Sequence, residues 1–191
     1  MGAFTLGPLA VNALELSNVG ATLASGGRWC EPNPIKEVLD QHGKQVFIDR
    51  PACEQAVSPE VAGALSHGMS KDIIDGTASA SARNNGWSAQ TAAKTGTTES
   101  HHSTAFLGFT RGMAAAPYIY NDGVQSTPLC TQPVRQCQYG TLFGGNEAAD
   151  TWFQAAAGAP GAAAGGLPPA SPAHVRGTKR GALDAVVGQY S

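Results

Sequence analysis

Charge is scarce in this sequence. Asp, Glu, Lys and Arg make up 14% of its 191 residues, and the formal net charge is −2. So thin a balance supplies no general basic field for holding a nucleic acid, and the cluster from Arg176 to Arg180 is too short to argue for one. Runs of eighteen or more apolar residues are absent, which leaves no candidate membrane span. Met1-Gly2-Ala3-Phe4 lacks the basic start and apolar core of an export signal. Hydrophobic residues nonetheless reach 42%, too many for a chain disordered by composition. The length suits one domain, and no internal repeat is evident.

Cysteine is also sparse, and Cys30, Cys53, Cys130 and Cys137 include no CxxC pair, which argues against a zinc site. Their even count and local spacing suit two short-loop disulfides formed in an oxidising compartment. Four unreactive thiols are the other reading. The hairpin pattern favours the first for Cys30–Cys53. Pro34–Leu39 and Lys44–Ile48 flank the turn Asp40-Gln41-His42-Gly43. If Leu39 pairs with Lys44, the register carried outward sets Cys30 opposite Cys53, within disulfide reach. Cys130–Cys137 would close a small loop around Pro133.

Periodicity predicts a first helix from Pro8 to Ser25, with Leu9, Leu16 and Leu23 on one face and Gly26-Gly27 as its stop. A second helix opens at Ser58 as N-cap with Pro59 in its first turn. Val61, Leu65, Met69 and Ile73 form its expected buried stripe, and Asp75-Gly76 ends it. Thr77 to Gly86 reads as a loop. Ser88–Thr98, Thr104–Thr110 and Met113–Tyr120 then read as consecutive antiparallel strands. A third helix is expected over Asn146–Ala156, and an Ala/Gly/Pro-rich linker over residues 158–182.

The one motif with chemistry in it is Lys94-Thr95-Gly96-Thr97-Thr98. In serine acyltransferases such a strand presents a cationic Lys and Thr hydroxyls to a substrate carboxylate. Gly keeps the strand clear for docking, and a backbone N–H beyond it can face a developing oxyanion. A P-loop reading fails, because Ala93 and Ser88 stand where glycines are needed. His101-His102 reads as a turn with two solvated histidines, since adjacent residues face opposite ways and no third metal ligand is nearby.

The surrounding blocks carry a resemblance. Leu6-Gly7 through Gly26-Gly27, Gly76-Thr77-Ala78, Ala92-Ala93-Lys94-Thr95-Gly96-Thr97-Thr98, Phe106-Leu107-Gly108-Phe109-Thr110, Tyr120-Asn121-Asp122 and Gly144-Gly145-Asn146 through Trp152 occur in order over residues 6–155. Together they resemble the C-terminal part of the transpeptidase domain of class A penicillin-binding proteins, of actinobacterial type. The resemblance implies an incomplete α/β (α+β) fold, with antiparallel sheet strands and covering helices, over residues 1–157. Leu183–Ser191 resembles the opening of a PASTA module. It also implies peptidoglycan cross-linking outside the cytoplasm, by acyl transfer from D-Ala-D-Ala stem peptides through a serine ester, with β-lactams as inhibitors and no cofactor. Lys94 would organise proton transfer. Thr95, Gly96, Thr97 and Thr98 would bind substrate, and the Thr97 N–H would supply half of the oxyanion hole.

The family's S-x-x-K nucleophile is missing. Three residues before Lys36, Lys44, Lys71, Lys94 and Lys179 stand Asn33, Gln41, Gly68, Thr91 and Arg176. The family's S-x-N element is absent too. In the family both precede the first helix seen here, so a missing N-terminal half is an expected partner, and the chain alone is expected to be inactive. Ser103 and Ala105 stand where the family often carries Asp and Trp. An exposed apolar face is expected on the sheet, where the absent part would pack. The alternative is a non-catalytic remnant or interaction module.

Overall fold

The computed structural model describes residues 11–125, 127–130, 137 and 141–175. Helix α1 spans Ala13–Ala24. It starts later than Pro8, because Asn12 and Glu15 form a reciprocal capping box: Asn12 Oδ1 accepts the Glu15 N–H at 2.8 Å, and Glu15 returns the bond to the Asn12 N–H. Leu9 and Pro8 lie outside the described residues. Gly26 and Gly27 stop the helix at φ 75° and 88°. Gly27 is doubly required, since a Cβ there would lie 2.1 Å from the Val57 carbonyl oxygen.

A long hairpin follows. At its base β1 (Arg28–Trp29) pairs with β4 (Glu54–Gln55), and at its tip β2 (Val38–Leu39) pairs with β3 (Gln45–Val46). The base register, Trp29 opposite Glu54, leads directly to the Cys30–Cys53 disulfide. At the tip Leu39 faces Gln45 rather than the expected Lys44. Gly43, at φ 78°, forms a bulge that inserts one residue beside the turn. The extra residue is absorbed below, where 30–37 runs opposite 47–53. Every residue from Arg28 to Arg50 is exposed. A bare two-stranded hairpin is marginal in water, so the disulfide at its base holds what packing does not.

Helix α2 (Pro59–Met69) has the expected Ser58 cap and Pro59 start. Its buried face matches expectation only in part: Met69 and, beyond the helix end, Ile73 pack against the core. Ala62, Gly63 and Ser66 face inward, while Val61 and Leu65 are exposed. A small-residue face is what close approach requires: a Cβ on Gly63 would lie 2.1 Å from the Pro169 carbonyl oxygen. The expected loop from Thr77 to Gly86 contains a short helix, α3 (Ser79–Asn84). Its apolar residues are alanines, too small to mark a periodicity, yet Ala78 and Ala82 belong to the core.

The sheet has β5 (Ala92–Thr97) at one edge and β6 (Ser103–Phe109) in the centre. Beyond β6 lie β7 (Ala114–Ala115) and β8 (Tyr118–Tyr120), two pieces of one antiparallel strand in a common register, interrupted at Ala116-Pro117. Side-chain alternation along β6 divides the core. Leu107 and Phe109 face Leu23 of α1 and Ala62 of α2. Phe106 faces Trp152 and Phe153 of α4 (Ala149–Gly158), together with Ala78 and Ala82. The α4 helix is entered through a π-type turn over Gly144–Ala148. The fold is thus α+β, an antiparallel sheet between helical layers.

The Ala/Gly/Pro-rich stretch after α4 is held to the body at several points. The buried Thr110 hydroxyl donates to the Ala162 carbonyl at 2.6 Å, Ala162 is itself buried, and the Leu167 N–H donates to Gln90 Oε1 at 3.3 Å. A four-residue turn of helix, α5 (Pro172–Val175), ends the described chain. The PASTA-like stretch and the Arg176–Arg180 cluster lie outside the described residues.

On the sheet the exposed apolar surface is Tyr118 and Tyr120 of β8, whose rings lie side by side. The outward sheet positions near the edge are Lys94, Gly96 and Thr97. Further large exposed apolar side chains sit on the helices and hairpin: Leu14, Val19, Trp29, Leu65 and Phe47.

Candidate active site

Lys94 to Thr97 lie on β5, and among the described residues no strand covers its outer side. Backbone alternation orients this edge. The Thr98 N–H donates to the Ser103 carbonyl at 3.0 Å, so even-numbered residues turn their polar groups toward β6. Thr95 and Thr97 therefore turn their N–H and C=O groups outward. Lys94 folds over this edge, its Nζ donating to the Thr95 carbonyl at 2.7 Å. A cation and, three positions on, an N–H without a partner among the described residues thus share one open edge.

Two turns hold the threonines. Thr97 Oγ1 accepts the Gly144 N–H at 3.2 Å. Gly144 lies directly on the strand pair: a Cβ there would come within 2.4 Å of the Ala105 oxygen and 2.5 Å of the Gly96 oxygen. The neighbouring Gly145 carbonyl accepts the buried Ser81 hydroxyl at 2.6 Å. Thr95 Oγ1 lies 2.6 Å from Thr77 Oγ1, and Thr77 donates to Asp72 Oδ1 at 2.8 Å. Thr77 belongs to the Gly76-Thr77-Ala78 block, but Asp72 escapes a search for motifs, because it has the spacing of no catalytic signature. The visible signal is an Asp five residues before the Thr of the Gly76-Thr77 turn.

Thr98 differs from its four neighbours. Its Oγ1 accepts the Ser103 N–H at 2.8 Å, so it stabilises the β5–β6 turn instead of facing the open edge. Ser103 is buried in that turn, and Ala105 pairs opposite Gly96. The turn passes through Ser100 and His101, both at φ 56°. His101 is packed, not solvated: its ring meets Phe143 edge-on at 4.7 Å, and its carbonyl accepts the Leu129 N–H at 2.9 Å. Beside it, Asn121 donates to the Thr127 carbonyl and hydroxyl, and Cys130 is bonded to Cys137. Both expected disulfides are present.

Thr91, the one hydroxyl three residues before Lys94, is 1% exposed. It donates to the Ala89 carbonyl at 3.1 Å and accepts from Trp87 Nε1 at 2.8 Å. It is a structural residue. Among the described residues no group of three metal-ligating side chains occurs, and no helix is long and apolar enough to cross a membrane.

The sequence model of the penicillin binding protein transpeptidase domain matches residues 1–117. The chain belongs to this family. Solved structures share the fold. PonA1 of Mycobacterium tuberculosis superposes with a TM-score of 0.72 at 20% identity, over 93% of this chain and 47% of that one. Penicillin-Binding Protein 1A of Haemophilus influenzae gives 0.67 at 19% identity, over 88% and 30%. Penicillin-binding protein A of M. tuberculosis, solved as an imipenem acyl-enzyme complex, gives 0.50 at 22% identity, over 62% and 28%. No curated protein matches the chain. The chain thus spans less than half the length of each of these transpeptidase-family structures. The mycobacterial neighbours fit the actinobacterial type expected from the sequence.

Proposed function

We propose that this chain forms the substrate side of a D,D-transpeptidase site that cross-links peptidoglycan, and that alone it has no serine to acylate. The observation that carries the reading is the open edge of β5, where the Lys94 ammonium and the outward Thr97 N–H lie together. A terminal carboxylate would accept from Lys94 and from the Thr97 hydroxyl, bonds strengthened by charge. The carbonyl of the penultimate D-Ala would then place its oxygen near the Thr97 N–H, half of an oxyanion hole. In the complete reaction a serine oxygen attacks that carbonyl, the terminal D-Ala leaves with a proton, and an acceptor amine displaces the serine ester. Binding and polarisation are available on this edge, but the attacking group is not. Thr91 is engaged on both sides, and Ser66 on α2 is fully buried.

The two disulfides support function outside the cytoplasm. The reading is tested by titrating the ¹⁵N-labelled chain with N-acetyl-D-Ala-D-Ala. Amide shifts centred on Gly96, Thr97 and Gly144 are expected. Shifts confined to other surfaces, or none, would remove it.

A second reading, a non-catalytic interaction module, draws on the groove between α1, β1 and α2. This space of about 760 Å³ is lined by Leu14, Val19, Leu23, Trp29, Val57 and Leu65 among others. Exposed apolar surface of that kind marks a docking face. The two readings part on one experiment. A separately produced segment bearing S-x-x-K and S-x-N should bind this groove and gain penicillin acylation under the first. Under the second, binding would bring no acylation.

A further inference from the structure

We propose that the cavity between the end of α2, the approach to β5 and the Ala/Gly/Pro-rich strap after α4 binds a small organic anion with an aliphatic body. The site shares no residue with the Lys94–Thr97 edge and does not rest on the transpeptidase reading. Its volume is about 400 Å³, within the range of small-molecule sites. The walls come from separate segments: residues 67–74 at the end of α2, residues 88–91 ahead of β5, and Leu167, Pro168 and Ala170 of the strap.

Each wall is held by its own contacts, so the cavity is formed before a ligand arrives. Ser70 donates its hydroxyl to the His67 carbonyl at 2.7 Å, which closes the end of α2. Ahead of β5, the buried Thr91 hydroxyl is fixed between Trp87 Nε1 and the Ala89 carbonyl. The strap is pressed onto α2, where a Cβ on Gly63 would lie 2.1 Å from the Pro169 carbonyl oxygen. It is tied to the third wall through the Leu167 N–H, which donates to Gln90 Oε1 at 3.3 Å.

The charge offered by these walls has one sign. His67 and Lys71 are the ionisable residues of the lining, and no carboxylate joins them. The Lys71 ammonium, the His67 ring, the Ser88 hydroxyl and Gln90 Nε2 have no hydrogen-bond or ion-pair partner among the described residues. An ammonium and an amide nitrogen only donate. A helix C-terminus draws cations on its own account, which explains His67 in the last turn of α2. It does not explain Lys71 beyond the helix end, or the cavity beside both. The rest of the lining is largely apolar and includes Ile73, Ile74 and Leu167, with Ile74 60% exposed. Free donors without a carboxylate suit an anionic head group, and the apolar wall suits a hydrocarbon part that covers it. A ligand with both parts would join α2 to the strap and pin the strap to the body.

A carboxylate and a phosphate monoester share this chemistry, and the probes distinguish them. The full ¹⁵N-labelled chain is titrated with 3-methylbutanoate, 3-methylbutyl phosphate, 3-methylbutanol and inorganic phosphate. Saturable shifts centred on Ser70, Lys71, Gln90 and Leu167 are expected with the amphipathic anions, and the tighter of the two identifies the head group. The neutral alcohol and inorganic phosphate should each bind about tenfold more weakly or worse. Lys71→Gln should weaken the anion about three- to tenfold, and added salt should act in the same direction. Ile74→Ser should weaken it about fourfold. Both side chains are exposed, so both variants should melt as the unaltered chain does. Bound anion should also slow proteolytic cleavage of the strap near Gly165. The proposal is overturned if the alcohol or inorganic phosphate binds as well as the amphipathic anions, or if Lys71→Gln changes nothing. Shifts that spread over the surface cations without saturating would overturn it too.

Discussion

Replacing Gly96 and Gly108 with alanine, one at a time, separates a glycine that keeps a cleft open from one that lets a core close. At Gly108 the added Cβ would lie 2.5 Å from Trp152 Cε2, 2.7 Å from its Nε1 and 2.8 Å from Phe106 Cε1. Both side chains are fully buried. The indole cannot easily retreat, because its Nε1 donates to the Gly108 carbonyl at 2.9 Å. Its ring is also packed edge-on against Trp87, Phe106 and Phe153. Overpacking costs about 1–3 kcal/mol, and loss of the indole bond adds about 1 kcal/mol. Gly108→Ala should therefore lose about 2–4 kcal/mol.

At Gly96 the nearest atom to an added Cβ is the Ala105 Cβ at 3.9 Å, and the backbone is not in the left-handed region. A methyl fits there. Restricting the unfolded chain should then raise stability by about 0.4–1 kcal/mol. Urea unfolding followed by tryptophan fluorescence reads both changes as shifts in midpoint at constant slope. Gly96→Ala should still weaken N-acetyl-D-Ala-D-Ala binding by about tenfold, roughly 1.4 kcal/mol, by crowding the strand along which a ligand backbone docks. The reasoning is refuted if Gly96→Ala unfolds as easily as Gly108→Ala, or if it binds ligand as well as the unaltered chain.

Other perturbations probe the remaining parts. Replacing Cys30 and Cys53 with serine removes a cross-link of sequence separation 23, and the chain-entropy model puts the loss at about 3 kcal/mol. Proteolysis of the hairpin should show it first. Thr110→Val strips the Ala162 carbonyl of its buried donor, for a loss of about 1–3 kcal/mol, with earlier cleavage near Gly161 as the check. Leu65→Lys, on the exposed lip of the groove, should leave the melting temperature unchanged and weaken binding of the segment bearing S-x-x-K and S-x-N. Glu60, in the first turn of α2, has its carboxyl held below the ordinary value, chiefly by its own backbone N–H and next by Ser58. Its contribution to stability is therefore complete at neutral pH and is lost as pH falls through that lowered value. Glu60→Gln should remove this acid-side dependence from thermal melts.

Features fixed by local chemistry were legible in the sequence. Ser58-Pro59 marks the start of α2, Gly26-Gly27 stops α1, and three strands appear where alternation and turns place them. Where several weak local signals competed, tertiary contacts decided. The Asn12–Glu15 box overrode Pro8 as the helix start. One left-handed Gly43 shifted the hairpin tip by a residue without disturbing the cysteine pair. In α2 the large apolar stripe and the small-residue face have the same period, and close approach by Pro169 selected the small one. That choice left Leu65 exposed in the same groove as Leu14 and Val19, which adds apolar surface on the helices to that of Tyr118 and Tyr120 on the sheet. The Lys-Thr-Gly strand was evident from its motif. The Asp72–Thr77 contact beneath it was not, because it depends on how the turn after α2 meets β5.

The most direct measurement is the intact mass of the purified chain after incubation with an excess of a fluorescent penicillin. The account predicts no adduct, because the sequence has no S-x-x-K serine to accompany the edge that would hold the β-lactam carboxylate. A stoichiometric adduct mapped to a single serine would contradict it.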